Sequence, residues 1–314
     1  MIENMTQLKT RRVMSPIRQS SGSRDVLIRR RDSLLNYLSG ASKSLVINHQ
    51  PVEVAMSPPT DLVDHLRNTL LDLKASFMNA NGDSVDYTAL KNSTAYADYQ
   101  QTCQAALQAF DPQTLPSLAA SQAFWINLYN TLVLDAVIHF NIQESVIEGR
   151  LGILAFFRRV AYQVGGQRVS LDDIEQGILR ANRGNPYIPG PCFTSADPRL
   201  AWVLPIDPRI HFALNCGGRS CPPIRVYTPE KLEQQLDLVS RGFIDATVSV
   251  QPAHDDVVLS QIFRWYAVDF GGSKGIRQFL LDYLPHDERP QWLLSSGNSV
   301  RFCYAPYNWH LNAS

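Results

Sequence analysis

Residues 118–140, LAASQAFWINLYNTLVLDAVIHF, restrict the fold of this 314-residue chain more than any other stretch. Phe124, Leu128, Leu132 and Ala136 form an i, i+4 line, and Trp125, Tyr129 and Val133 widen it beyond a single stripe. A helix apolar over so much of its circumference must be wrapped by protein, which calls for a large domain built around it. Its polar members therefore stand out: Asn127, Asn130 and Asp135. A buried amide left without partners costs roughly 1–3 kcal/mol. Asn127 either tethers neighbouring backbone or serves a pocket as an orienting or oxyanion-stabilising amide.

The flanking elements read as a mostly helical α+β domain. TDLVDHLRNTLLDLKASFM predicts a helix with Leu62, Leu66, Leu70, Leu71 and Phe77 towards one face, and residues 93–109 predict another. AYQVGGQRVS alternates about Gly165-Gly166 and predicts a β-hairpin. Ser170 then opens SLDDIEQGILRANRG as a helix cap, with Asp172 and Asp173 at the positive end and Glu175 near the edge of the apolar face. Short strands expected at 160–169, 210–216, 247–259 and 299–305 would share a small, largely antiparallel sheet. Residues 58–314 read as one large domain, and 1–57 as an appended N-terminal region, partly flexible or helical.

Chemistry concentrates in HFALNCGGRSCPPI, residues 211–224, which holds one of seven histidines and two of five cysteines. If extended, the segment puts His211 and Asn215 on one face and Cys216 on the other. A His211–Cys216 pair then requires the strand to end near Asn215 and the chain to turn at Gly217. Three readings stay open. Cys216 attacks as a thiolate with His211 as its base, Arg219 favours the thiolate, and the Gly217 and Gly218 N–H groups receive an oxyanion. Alternatively His211, Cys216 and Cys221 bind zinc, with Glu175 or water completing the set. In the third reading they are packed core residues around a tight turn. A Cys216–Cys221 disulfide is also open, because the glycine pair can fold the segment back. Asp269, at the end of SQIFRWYAVDF, is a candidate to orient a histidine or a plain turn residue. His65, His254 and His310 read as surface residues, and Cys192 and Cys303 as incidental thiols.

Several function classes find no support. Basic and acidic residues balance at 29 each, which gives no footprint for nucleic acid. The balance is uneven, however. Residues 1–31 carry eight basic groups (Lys9, Arg11, Arg12, Arg18, Arg24, Arg29, Arg30, Arg31) against Glu3 and Asp25, and read as a solvated arm. The first 30 residues lack an apolar signal core, and there is no membrane-length apolar run. An odd, sparse set of cysteines is expected in a reducing, cytoplasmic setting. Nucleotide, dinucleotide and H-E-x-x-H fingerprints are missing, so no cofactor is expected.

Taken together, VDYTAL (85–90), AFWINLYNTLV (123–133), RVSLDDIEQGILR (168–180), DPRIHFALNCGGRSCPPI (207–224), WYAVDF (265–270) and YNWHLN (307–312) resemble the domain-of-unknown-function 547 family. The resemblance marks Asn127, Asn130, Glu175, His211, Cys216, Ser220, Pro222 and Asp269 as motif positions, and implies architecture rather than a reaction. Gln176 replaces a frequent His, and Asn308 a frequent Asp, which argues against a proton relay through either. The expectation is a thiol-dependent hydrolase or acyl transferase acting on an amide or thioester of a small molecule or peptide. Cys216 would attack, His211 would move the proton, and Glu175 or Asp269 would orient the imidazole. The opposing class is a catalytically silent interaction or scaffold domain.

Overall fold

A computed structural model describes residues 21–42, 45–48, 59–148, 152–297 and 300–314. Lys9, Arg11, Arg12 and Arg18 of the basic arm lie outside the described residues. At the centre is the helix Leu118–His139, started by Ser117, whose hydroxyl accepts from the Ala120 N–H at 3.1 Å. Every residue from Gln122 to Ile138 is buried, so the all-round apolar pattern does mark a helix enclosed by others. Asn127, Asn130, Thr131 and Asp135, polar members of its buried stretch, all have hydrogen-bond partners. Asp135 accepts from Gln104 at 2.7 Å and Tyr162 at 2.8 Å, and from the Tyr96 hydroxyl.

The helix Pro59–Phe77 packs on it through Leu62, Leu66, Leu70 and Leu73, while Leu71 is exposed. Leu73 is three residues past Leu70 and continues the stripe, whereas Leu71 sits a quarter-turn off it. The 93–109 helix runs over 94–107 with a π-type section at Gln100–Gln104. Strands β1 (Ala161–Val164) and β2 (Gln167–Ser170) form the expected hairpin about Gly165-Gly166. Both glycines have positive φ, and a Cβ on Gly165 would lie 2.7 Å from the Phe110 carbonyl oxygen.

The other strands form a second sheet rather than joining the first: β3 (Ser249–Gln251) pairs antiparallel with β4 (Asp256–Leu259), which pairs parallel with β5 (Arg301–Tyr304). The expected strand at 210–216 does not form. Asp207 accepts from the Arg209 N–H at 2.9 Å with Pro208 at the first helical position, and Pro208–Phe212 becomes a 3-10 turn. The Asp-Pro pairs at 111 and 197 start 3-10 turns in the same way. Proline's fixed φ and the Asp side chain together outweigh the strand-like composition that follows.

Two hydrophobic clusters result. The larger surrounds the central helix, and the smaller is built on Phe243, Phe263, Phe279 and Leu280. The Pro208–Phe212 turn bridges them: Ile210 and Ala213 belong to the first, Phe212 to the second. His211 is held between two anchors.

Candidate active site

Two amides of the central helix place the loop that follows this turn. The Asn130 side chain donates to the Ala213 carbonyl at 3.0 Å and accepts from the Asn215 N–H at 2.9 Å. Asn127 does the same for Tyr227, donating to its carbonyl at 2.8 Å and accepting from its N–H at 2.9 Å. Both polar atoms of Asn127 are thus occupied by backbone, so it is a tether and not a pocket amide. Asn215 in turn accepts from the Gly217 N–H at 2.8 Å and donates to the Pro222 carbonyl at 2.7 Å. That bond uses the Gly217 N–H, which is therefore not free to receive an oxyanion. Gly217, at φ 83°, reverses the chain, and the returning loop lies along the closing YNWHLN segment: Arg219 N–H donates to the His310 carbonyl at 2.9 Å, and Asn312 N–H to the Gly217 carbonyl at 2.8 Å.

The loop closes as a disulfide, Cys216–Cys221. The Tyr307 hydroxyl lies 3.0 Å from the Cys221 sulfur and 3.4 Å from that of Cys216. In this bonded state the zinc alternative lacks its ligands. Sulfurs joined to each other are not thiolate ligands, and among the described residues no group of His, Cys, Asp and Glu is arranged to hold a metal ion.

His211 is 4% exposed, and its Nε2 lies 2.9 Å from an Asp269 carboxylate oxygen. With that N–H donated to Asp269, Nδ1 keeps its lone pair. Tyr266 stacks on the imidazole at 3.8 Å between ring centroids, and the Arg180 guanidinium lies 4.8 Å from the other ring, that of Tyr266. Burial is the main reason the imidazole is pushed below its usual pKa, against the opposing pull of Asp269, so it is neutral at pH 7. Burial raises the Asp269 carboxyl, but hydrogen bonds from His211 and Arg180 more than reverse this and hold it well below the carboxylate range. Arg180 makes a two-pronged contact with Asp269, donates to the Gly184 carbonyl at 2.7 Å and reaches the Gln176 side chain. Arg183 adds a third contact to Asp269 at 2.8 Å.

Of the two acids proposed to orient the imidazole, the structure brings Asp269 to it. Glu175 accepts instead from the Tyr129 hydroxyl at 3.0 Å and from that of Tyr266. Burial, followed by the nearby Glu175, pushes both phenols well above their usual range, which keeps them donors. The segment holding Glu175 starts as expected. Ser170 Oγ accepts from the Asp173 N–H at 3.1 Å while Asp173 accepts from the Ser170 N–H at 2.9 Å, after which Asp173–Leu179 is wound as a π-helix.

His211, Glu175, Cys216 and Cys221 all line one cavity of about 470 Å³. Its walls are aromatic, with Tyr129, Tyr266, Trp265, Tyr307 and Trp309. The last three pack together at 4.6–5.5 Å between centroids. Residues 185–188 also border it, and the helix Ser21–Ser39 holds the chain beyond them. Arg31 donates to the carbonyls of Pro189 at 2.6 Å and Pro191 at 2.8 Å, and Asp25 accepts from Ser195. Asp172 is the second acid of the cavity. Burial, only partly offset by Arg158, raises its carboxyl to about 6. Arg219, expected to favour a Cys216 thiolate, does not line this cavity but a neighbouring one.

The sequence does not by itself mark Tyr307, Tyr266 or Arg180 as site residues. Arg180 had a signal, a cation directly after the apolar pair Ile178-Leu179, but the tyrosines had none beyond their motifs.

Residues 112–244 match the family model described as "Protein of unknown function, DUF547". The match supports the resemblance to the DUF547 family over that segment. No curated protein and no solved structure matches it. The DUF547 segment contains Asn127, Asn130, Glu175, Arg180, His211 and both bonded cysteines, while Tyr266, Asp269 and Tyr307 follow it. No described helix is long and apolar enough to cross a membrane.

Proposed function

We propose that, with the disulfide reduced, this DUF547 site is a thiol-dependent hydrolase or acyl transferase acting on an amide or thioester. The observation that carries the reading is that Cys216 and His211 line the same aromatic cavity, with Asp269 buried behind the imidazole. A neutral imidazole backed by a carboxylate is the pairing a thiol nucleophile needs. His211 takes the Cys216 proton on Nδ1, and the sulfur adds to the carbonyl carbon. The C–N or C–S bond of the substrate then breaks, and the leaving amine or thiol departs with the proton from His211. Water, or an acceptor amine or alcohol, attacks the acyl-sulfur bond in turn and restores the thiol. Asp269 positions the ring, and Arg180 holds Asp269. The aromatic wall favours a flat or apolar acyl group, and the Glu175 and Asp172 carboxyls favour hydrogen-bond donors on it.

The test uses the reduced full chain with aryl and alkyl acyl thioesters and aryl anilides. The expected result is a covalent acyl adduct on Cys216, seen by intact mass, and alkylation of Cys216 that loses its low-pH reactivity in His211→Ala. An ordinary thiol pH profile, unchanged in His211→Ala and with no acyl adduct, would sink the reading and favour a silent interaction domain.

A further inference from the structure

A second cavity, about 800 Å³, lies on the other side of Cys221 and Tyr307, and these two residues line both spaces. Cys216 lines only the smaller one. The disulfide is therefore a partition whose Cys221 side faces the larger cavity and whose Cys216 side faces the candidate active site. The charged residues of the larger cavity are Arg219, Arg225 and Asp83. Both arginines are exposed, and neither has a carboxylate partner among the ion pairs of the described residues. Among the described residues, Arg219 has only its Nε engaged, on the Leu311 carbonyl at 3.3 Å, which leaves its outer nitrogens for a ligand. Asp83 accepts from Asn79 at 2.6 Å. The space thus holds an excess of guanidinium charge next to a disulfide sulfur.

We infer that the larger cavity is a binding site for a small anionic thiol, which reduces the Cys216–Cys221 disulfide by attack on Cys221. Guanidinium groups suit carboxylates through paired N–H donors, and a bound carboxylate would bring the thiol of the same molecule to the wall. The thiolate forms a bond to Cys221 sulfur, the Cys216–Cys221 bond breaks, and Cys216 leaves as a thiolate into the smaller cavity. The Tyr307 hydroxyl, which reaches both sulfurs, donates a hydrogen bond to the departing sulfur. A second thiol molecule attacks the mixed disulfide, releasing its oxidised dimer and the Cys221 thiol. Each disulfide reduced thus consumes two thiols and yields one small disulfide. On the hydrolase reading this would arm the nucleophile, but the exchange stands whether or not any acyl group is turned over.

The experiment follows reduction of the oxidised full chain by glutathione, an anionic thiol, and by 2-mercaptoethanol, a neutral one, with samples alkylated and weighed at intervals. Reduction by glutathione should slow about tenfold in Arg219→Gln/Arg225→Gln and fall with added salt in the wild-type chain, since exposed charges are screened at about 8–10 Å. Reduction by 2-mercaptoethanol should change less than about twofold in either case. With glutathione disulfide as probe, Cys216→Ser should gain glutathione at Cys221 faster than Cys221→Ser gains it at Cys216. Equal slowing of both thiols, salt-independent rates in the wild type, or faster capture at Cys216 would each overturn the assignment. Because every readout is disulfide exchange, these outcomes are separate from failure of acyl transfer.

Discussion

Asn130→Ala tests whether one amide of the central helix holds the candidate site in place. Asn130 is 1% exposed, as is Asn215, and Ala213 is fully buried. The change removes hydrogen bonds of 3.0 and 2.9 Å. At about 1 kcal/mol net each, they set a floor of ~2 kcal/mol. The stranded Ala213 carbonyl and Asn215 N–H add desolvation costs of roughly 1–3 kcal/mol apiece, reduced if water fills the vacated space. With water taking over part of that cost, the expected loss is about 2–4 kcal/mol, a large share of a stability of order 5–15 kcal/mol. Urea unfolding with an unchanged m-value measures it, and the rate of Cys216–Cys221 reduction in native buffer reports the freed loop. Asn130→Asp is the control, because it keeps the acceptor for Asn215 but turns an oxygen on the Ala213 carbonyl, and it should be no better than alanine. A loss below about 2 kcal/mol, or an aspartate variant as stable as wild type, would refute the reasoning.

Asp269→Asn should cost about 3–5 kcal/mol by leaving buried Arg180 without its carboxylate, and adding Arg180→Met should restore part of it, measured by thermal unfolding. Gly177→Ala should destabilise by about 1–3 kcal/mol in chemical denaturation, because a Cβ there would sit 2.4 Å from the Phe193 ring. Asp135 and Asp172 both have carboxyls raised from 3.8 to about 6, chiefly by burial. The folded chain then holds more protons than the unfolded chain between those values, so these two groups lower stability as pH rises through that window. Urea midpoints read across it should show a flatter slope in Asp172→Asn. Asp269 acts with the opposite sign, its stabilisation present above 3.8 and lost as pH falls below it.

Local signals in the chain proved readable where the residues that decide a structure are neighbours. The all-round apolar run became the buried central helix, AYQVGGQRVS the hairpin, and Ser170 the cap of the segment holding Glu175. The strand expected at 210–216 failed for a local reason too, since the Asp207-Pro208 start imposes a 3-10 turn that outweighs the β-like composition after it. What spacing alone could not decide is which of the residues far apart in sequence meet. His211 and Asp269 are 58 residues apart, Asn127 and Tyr227 are 100, and Tyr307 meets Cys221 across 86. No spacing rule links such positions, and Arg180 entered the site only because Asp269 folds back onto it. The bond between Cys216 and Cys221 stayed open because a glycine turn permits both the paired and the free state.

The position of the Pro208–Phe212 turn means that the DUF547 segment is not a portable unit. Residues 112–244 include Phe212, Phe243 and Ile244 but not Phe263, Phe270 or Phe279, against which they pack. Excised alone, the segment would present an oily scar to water beside an imidazole stripped of its carboxylate, and should aggregate rather than lose activity gently. Surveys of relatives that stop at that boundary compare sockets without their plugs. The histidine can be followed across such an alignment, but whether a relative can use it is written in the residues downstream.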